Sequence, residues 1–172
     1  MKTITLTPQQ IITLNDYPIY SVEVLRLYFS RCLSGQVLPL VPVIRKTIVR
    51  QYFTPELCGK LEAFERVSPL ATYFMLDGSH RTTAITLTGC KINAIVYAAD
   101  ADIAEACGLV VTGQVLDNGT LLHSLAENCV ILRQHFQERP YFMTVQQKTE
   151  KLIRDGYIAR CGLLNQGVEE AS

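Results

Sequence analysis

The sequence carries no net charge, because sixteen Lys and Arg residues balance sixteen Asp and Glu. That balance argues against a dedicated DNA-binding protein, which needs a basic footprint to meet the phosphate backbone. A local basic patch stays open. The sequence also lacks any CxxC pair: Cys32, Cys58, Cys90, Cys107, Cys129 and Cys161 are spread along the chain. Neither a zinc site nor a thioredoxin-type motif is therefore indicated. The even count permits disulfides, but the composition is not that of a stapled secreted domain, and buried reduced thiols are expected. No long apolar run is present. The longest, Val37 to Ile44, is interrupted by Pro39 and Pro42 and falls far short of the roughly 20 residues of a membrane span. The residues after Lys2 form no continuous apolar stretch, so no signal peptide and a cytoplasmic location are expected. Internal repeats and low-complexity segments are missing too.

What is present suits one compact domain. The chain has 172 residues, 48% hydrophobic and 19% charged, which excludes intrinsic disorder. A chain of this length buries about 70% of its unfolded surface and needs no staple.

Local patterns place the elements. Ser21 is a helix cap, and Val22, Leu25, Phe29, Cys32 and Leu33 follow at helical spacing up to Gly35. Leu38 to Ile44 reads as a strand that its prolines confine to an edge or to a strand start. Thr54-Pro55 is a cap and first helical position, with Leu57, Leu61 and Phe64 as the apolar stripe. Thr72 to Leu76 is a strand by composition. Thr82 to Thr88 is a short helix stopped by Gly89, and Ile92 to Tyr97 is another strand. Beyond a boundary near residue 100 the chain reads as helical. Leu121, Leu125, Cys129, Leu132 and Phe136 repeat at three and four, and Thr144 to Gln147 is a capping box whose helix runs to Asp155 before Gly156.

Chemistry concentrates at Asp77-Gly78-Ser79-His80-Arg81, where a strand passes into a helix within three residues. Gly78 permits the sharp turn and close approach of a ligand. The amides of Ser79, His80 and Arg81 would be free helix-start donors beside the positive end of the dipole, which suits a phosphate. Arg81 adds a bidentate contact, Ser79 a hydroxyl, and His80 a phosphate contact or a proton relay. Asp77 repels phosphate unless Mg²⁺ lies between them. Asp-Gly followed by a capping Ser is equally an ordinary turn. Elsewhere, His123 and His135 are taken as surface or core histidines. Arg45, Lys46 and Arg50 are taken as a solvated basic cluster. Asn118-Gly119-Thr120 is a glycosylation acceptor with no sign of secretion.

Leu76 to Ala84, then Leu87-Thr88-Gly89, then Ile92 to Tyr97 resembles the core of the ParB/sulfiredoxin superfamily. That superfamily carries a strand, a G-x-x-R or D-G-x-H-R turn, a helix ending in Leu-x-Gly, and a strand. The preceding helix, turn and Pro-containing strand, Val22 to Ile44, is similar as well, so the resemblance spans roughly residues 15 to 100. It implies an α+β fold, a small mixed sheet with helices. Residues 1–100 would be the nucleotide-binding core and 101–172 a helical C-terminal extension. It implies that Gly78, Ser79, His80, Arg81 and Thr82 hold nucleotide phosphates, with Asp77 as catalytic and Mg²⁺-binding residue.

Sulfiredoxins place a reactive Cys where this chain has Ser79, so their chemistry should be absent. The free serine kinases carry D-G-H-H-R, and Asp77 to Arg81 is similar with Ser79 for the first His. Those kinases use a Glu on the preceding helix as base, which here corresponds to Glu23. Glu23 is equally a first-turn acid favoured by the helix dipole, and Arg26 either pairs with it or meets a ligand carboxylate. The resemblance thus implies a phosphotransferase using ATP or ADP (CTP stays open) with Mg²⁺ on a small hydroxyl compound, first L-serine. The alternatives are a non-enzymatic ParB-like nucleotide- or DNA-binding regulatory module and a ParB-like nuclease.

Overall fold

The computed structural model describes residues 1–17, 19 and 21–163. Five strands form one mixed sheet: β1 (Lys2–Leu6), β2 (Ile11–Ile12), β3 (Val41–Arg45), β4 (Tyr73–Met75) and β5 (Ile92–Tyr97), in the order β1-β5-β3-β4-β2. β1 pairs antiparallel with β5, β5 parallel with β3, β3 antiparallel with β4, and β4 parallel with β2. Among the described residues eight α-helices complete an α+β fold: α1 (Val22–Leu33), α2 (Lys46–Val49), α3 (Pro55–Val67), α4 (Ser79–Leu87), α5 (Asp100–Gly108), α6 (Leu125–Glu138), α7 (Val145–Arg154) and α8 (Tyr157–Arg160). Among the described residues no helix is long and apolar enough to cross a membrane.

The period-two alternation of the strands sorts their side chains onto two faces. Ile44, Phe74, Ile95 and Tyr97 pack against Leu61 of α3, Ile103 of α5 and Phe136 of α6. Val43, Met75 and Val96 pack against Ile85 of α4 and Val145 of α7. A further layer joins Leu25 and Phe29 of α1 to Ala84, Leu152 and Ile158. Helices therefore cover both faces of the sheet, and the helical segment after residue 100 contributes to both. The aromatic centre lies on the α6 side, where the Phe136 and Phe142 rings stand 4.8 Å apart and Phe74 meets Phe136 edge-on at 5.4 Å.

The helix caps act where the sequence places them. Ser21, Thr54 and Thr144 each accept an amide of their helix's first turn. α6 is a correction. It begins at Leu125 rather than Leu121, because Ser124 and Glu127 form a capping box and Gly119–Leu122 makes a separate 3₁₀ turn under Asn118. α4 also starts earlier than expected, at Ser79. β3 is not an edge strand but lies in the middle of the sheet. Its Pro42 is tolerated because it stands second in the strand. The Pro42 carbonyl accepts Leu76 N at 3.0 Å, just where β4 has ended at Met75. Pro42 stands opposite Leu76, so the missing proline N–H withholds the return bond to Leu76 O, and the β3–β4 ladder stops there. All six cysteines are free, but only Cys129 and Cys161 are buried; Cys32 and Cys58 are half-buried, and Cys90 and Cys107 are exposed.

The two ends of the described chain are sewn together. Ile12 bridges to Thr144, and Thr13 N donates to Met143 O at 3.0 Å. Thr13 to Asp16 are thereby laid beside α6 and α7.

Candidate functional site

The turn after β4 is built around Gly78. Its φ of +114° lies in the region that L side chains avoid. A Cβ there would also come within 3.2 Å of Arg81 Nη2. The helix closes when Thr82 N donates to Gly78 O at 2.8 Å. The amides of Ser79, His80 and Arg81 precede that bond and have no acceptor among the described residues. They sit at the positive end of α4.

A cavity of about 430 Å³ opens over this turn, walled by Asp16, Asp77, Ser79, His80 and Arg81, with Val24 and Tyr28 of α1 opposite. One buried cation, Arg81, lines it, and a second, Lys148, lies behind Ser79. Arg81 is 1% exposed. Its Nη1 donates to Pro39 O at 3.1 Å and Leu40 O at 2.8 Å, and its Nη2 to Asp77 at 2.7 Å. Lys148 of α7, 2% exposed, pairs with Asp16 and reaches Leu14 O at 3.2 Å and Ser79 Oγ at 3.4 Å. Burial lowers the Lys148 pKa and Asp16 opposes that shift.

Two histidines hold the backbone at Asn15 and at Ser21. His80 Nε2 accepts Ser21 N at 3.2 Å, and His135 Nε2 accepts Asn15 N at 2.8 Å. Each must be neutral at Nε2 to do so. Burial lowers both pKa values, in keeping with that role.

Two expected site residues lie elsewhere. Glu23 is exposed on the first turn of α1 and accepts Ser21 Oγ at 3.2 Å; the cavity wall is supplied by Val24 and Tyr28 instead. Thr82 is buried beneath the turn and its hydroxyl donates back to Gly78 O at 3.0 Å, so it braces the turn and does not reach the cavity. Arg26 donates to Cys161 O at 2.8 Å rather than to Glu23. The structure brings together Asp77, Gly78, Ser79, His80 and Arg81, and adds Asp16, His135 and Lys148. Lys148 had a signal in the sequence. It falls on the same stripe as Val145, Thr149 and Leu152, all buried. His135 had none, and the reading of it as a bland core or surface residue gives way to a place in the cavity wall.

The basic cluster is neutralised within the fold. Lys46 pairs with Glu65 at 2.8 Å, Arg50 with Glu62 and Glu65, and Arg45 lies over the Tyr73 ring. The cluster expected to be solvated is thus engaged with its neighbours. Among the described residues no three His, Cys, Asp or Glu side chains converge as metal ligands.

Comparison with protein-family models, curated proteins and solved structures finds no match to this chain.

The geometry of the cavity must then carry the functional reading. Asp77 spends one carboxylate oxygen on Arg81, and Asp16 one on Lys148. The second oxygen of each has no donor among the described residues. Mg²⁺ asks for no more than one or two carboxylates beside a ligand's phosphates. The donor set fits that ion when it arrives with a phosphorylated ligand.

Proposed function

We propose that the cavity over α4 binds a nucleotide and serves phosphoryl transfer to a small hydroxyl compound, with L-serine the first acceptor to test. The observation that carries this reading is the placement of three unpaired amides, those of Ser79, His80 and Arg81, at the wall of a cavity of about 430 Å³. Phosphoryl transfer needs positioning and charge neutralisation more than covalent help from the protein. The amides and the α4 dipole supply donors fixed before the ligand arrives. Asp16, whose second carboxylate oxygen has no donor among the described residues, would hold Mg²⁺ beside the phosphates, which leaves the second oxygen of Asp77 open. The ion supplies charge neutralisation. Ser79 and neutral His80 stand beside the phosphate position, and Asp77, with its side chain 43% exposed, is open to an incoming hydroxyl group.

In this reading Asp77 is the group placed to take the acceptor's proton as the hydroxyl oxygen bonds to phosphorus and the nucleotide leaves. Glu23 keeps its role as a helix-start acid. The test is ³¹P NMR of the protein with Mg²⁺ and ATP or ADP, with and without L-serine. A phosphomonoester resonance that needs serine supports the reading. Nucleotide that stays intact with serine and other small alcohols overturns the transferase. If pyrophosphate also leaves the ¹⁵N amide resonances of Ser79 to Arg81 unmoved, the phosphate site fails with it.

A further inference from the structure

Two hydroxyl side chains line the cavity over α4, those of Ser79 and Tyr28. Tyr28 stands on α1, across from the turn. Ser79 is the first residue of α4 and is 6% exposed. Its Oγ accepts from Lys148 Nζ at 3.4 Å, and its own O–H has no acceptor among the described residues.

This serine is not a helix cap. A capping serine spends its oxygen on an amide of the first turn, as Ser21 and Ser124 do. Gly78 holds the cap position of α4, so Ser79 lies one residue inside and its oxygen caps nothing. That oxygen meets a buried ammonium instead and stands at the positive end of the helix. Both favour an oxygen that is giving up its proton, which is how a serine becomes a nucleophile. The second oxygen of Asp77 is free in the same cavity to receive that proton.

We propose that Ser79 is itself phosphorylated: when no acceptor is in the cavity, the phosphoryl group passes to its Oγ. This rests on the reading of the cavity as a site of phosphoryl transfer. The Ser79 oxygen bonds to the terminal phosphorus of the nucleotide. The bond from that phosphorus to its bridging oxygen breaks, and the nucleotide leaves one phosphate shorter. The Ser79 proton goes to Asp77. The new phosphate stands at the start of α4, beside the amides of Ser79, His80 and Arg81 and the Lys148 ammonium, the surroundings that stabilise a phosphoserine. The same amides are needed by a nucleotide's phosphates, so the modified chain is closed to nucleotide. A site that turns over without an acceptor thus shuts itself.

The test incubates the full chain with Mg²⁺ and ATP or ADP, without acceptor, and reads intact mass, ³¹P NMR and a peptide map. A gain of one phosphoryl group, confined to the peptide that carries Ser79, is expected. Ser79→Ala should take up none. It keeps all three amides, so pyrophosphate should still move their ¹⁵N resonances, which shows that the variant is folded. Lys148→Met should label more slowly at saturating nucleotide with the half-saturating concentration unchanged; labelling at the parent rate overturns the part given to the lysine. The phosphorylated chain should bind pyrophosphate roughly tenfold or more weakly than the parent; equal binding overturns the closure. Uptake at Tyr28 or elsewhere, or uptake by Ser79→Ala equal to the parent's, overturns the assignment to Ser79. A chain that phosphorylates L-serine or another small alcohol, yet stays unlabelled when these are withheld, overturns the proposal and leaves the transferase standing. Nucleotide left intact with and without acceptors overturns both.

Discussion

Arg81 and Lys148 are both buried cations against the same cavity, yet they do different work. Arg81 belongs to the turn itself. Its planar fork meets two backbone carbonyls ahead of β3 and the carboxylate of Asp77, four residues earlier. It fastens α4 to the sheet, and its charge is largely consumed in doing so. Lys148 arrives from α7 and is a point charge whose three donors go to Asp16, Leu14 O and Ser79 Oγ. It fastens the N-terminal segment and the C-terminal helix to each other and to the turn. One cation makes the local shape, and the other assembles distant pieces around it.

The comparison breaks most visibly at Arg81. Arg81→Ala leaves Asp77 and two carbonyls without a donor and should lower stability by about 3–5 kcal/mol in urea unfolding. Arg81→Lys should not restore it, since one ammonium cannot serve three acceptors set in a fork. At Lys148 the loss should be smaller, about 2–3 kcal/mol for Lys148→Met, because methionine refills the apolar length of the lysine stem where Arg81→Ala leaves a cavity. The double variant Lys148→Met with Asp16→Asn should recover most of that loss. Failure of the double variant to recover would show that Lys148 acts through Ser79 or Leu14 O rather than through the ion pair.

Gly78→Ala comes next, at about 1–2 kcal/mol, from strain at positive φ and the approach to Arg81. The same substitution should weaken pyrophosphate binding, because the amides that follow Gly78 move.

The histidines sharpen the contrast through pH. His80 and His135 have folded pKa values below the usual 6.5, with burial as the main cause in each. Asp16 and Asp77 oppose the shift at His80 while Lys148 adds to it. Asp16 and Glu138 oppose it at His135 while Arg139 and Lys148 add to it. A depressed value means that the unfolded chain binds the proton more readily. The stability they contribute is therefore full above 6.5 and is lost as pH falls from there through the folded values. A variant carrying His80→Gln and His135→Gln keeps an acceptor at each position and should flatten the fall in melting temperature over that window. The smallest effect belongs to Glu23→Ala, which should leave phosphoryl transfer unchanged in the ³¹P assay; a large loss there would return the base to α1.

The same contrast explains how much was legible in the sequence. The turn from Asp77 to Arg81 is contiguous, so its residues announce themselves together. α1, α3 and α7 were readable because Ser21, Thr54 and Thr144 mark their starts. β1 was missed although Lys2-Thr3-Ile4-Thr5-Leu6 alternates, because five residues at a chain end carry little weight without the β5 partner that gives them a sheet. The start of α6 was misplaced because Leu121 continues the apolar spacing across a break that Ser124 enforces. Asn128 and His135 sit on that helix and look like any polar residue on an amphipathic surface. Only the fold shows what they face, the carbonyls of Thr120, His123 and Ser124 for Asn128 and the Asn15 amide for His135.

That seam has a kinetic side. Asp16 and Lys148 are 132 residues apart in the chain, so closing it ranks among the most entropically demanding contacts in the fold. On the ribosome, β1 through β5 are complete long before α7 emerges, and a nascent chain stopped short of Thr144 has Asp77 and Gly78 but no lysine behind Ser79. The pairing of Asp16 with Lys148 is therefore a late event, one that only a chain made through α7 and folded back onto its beginning can complete.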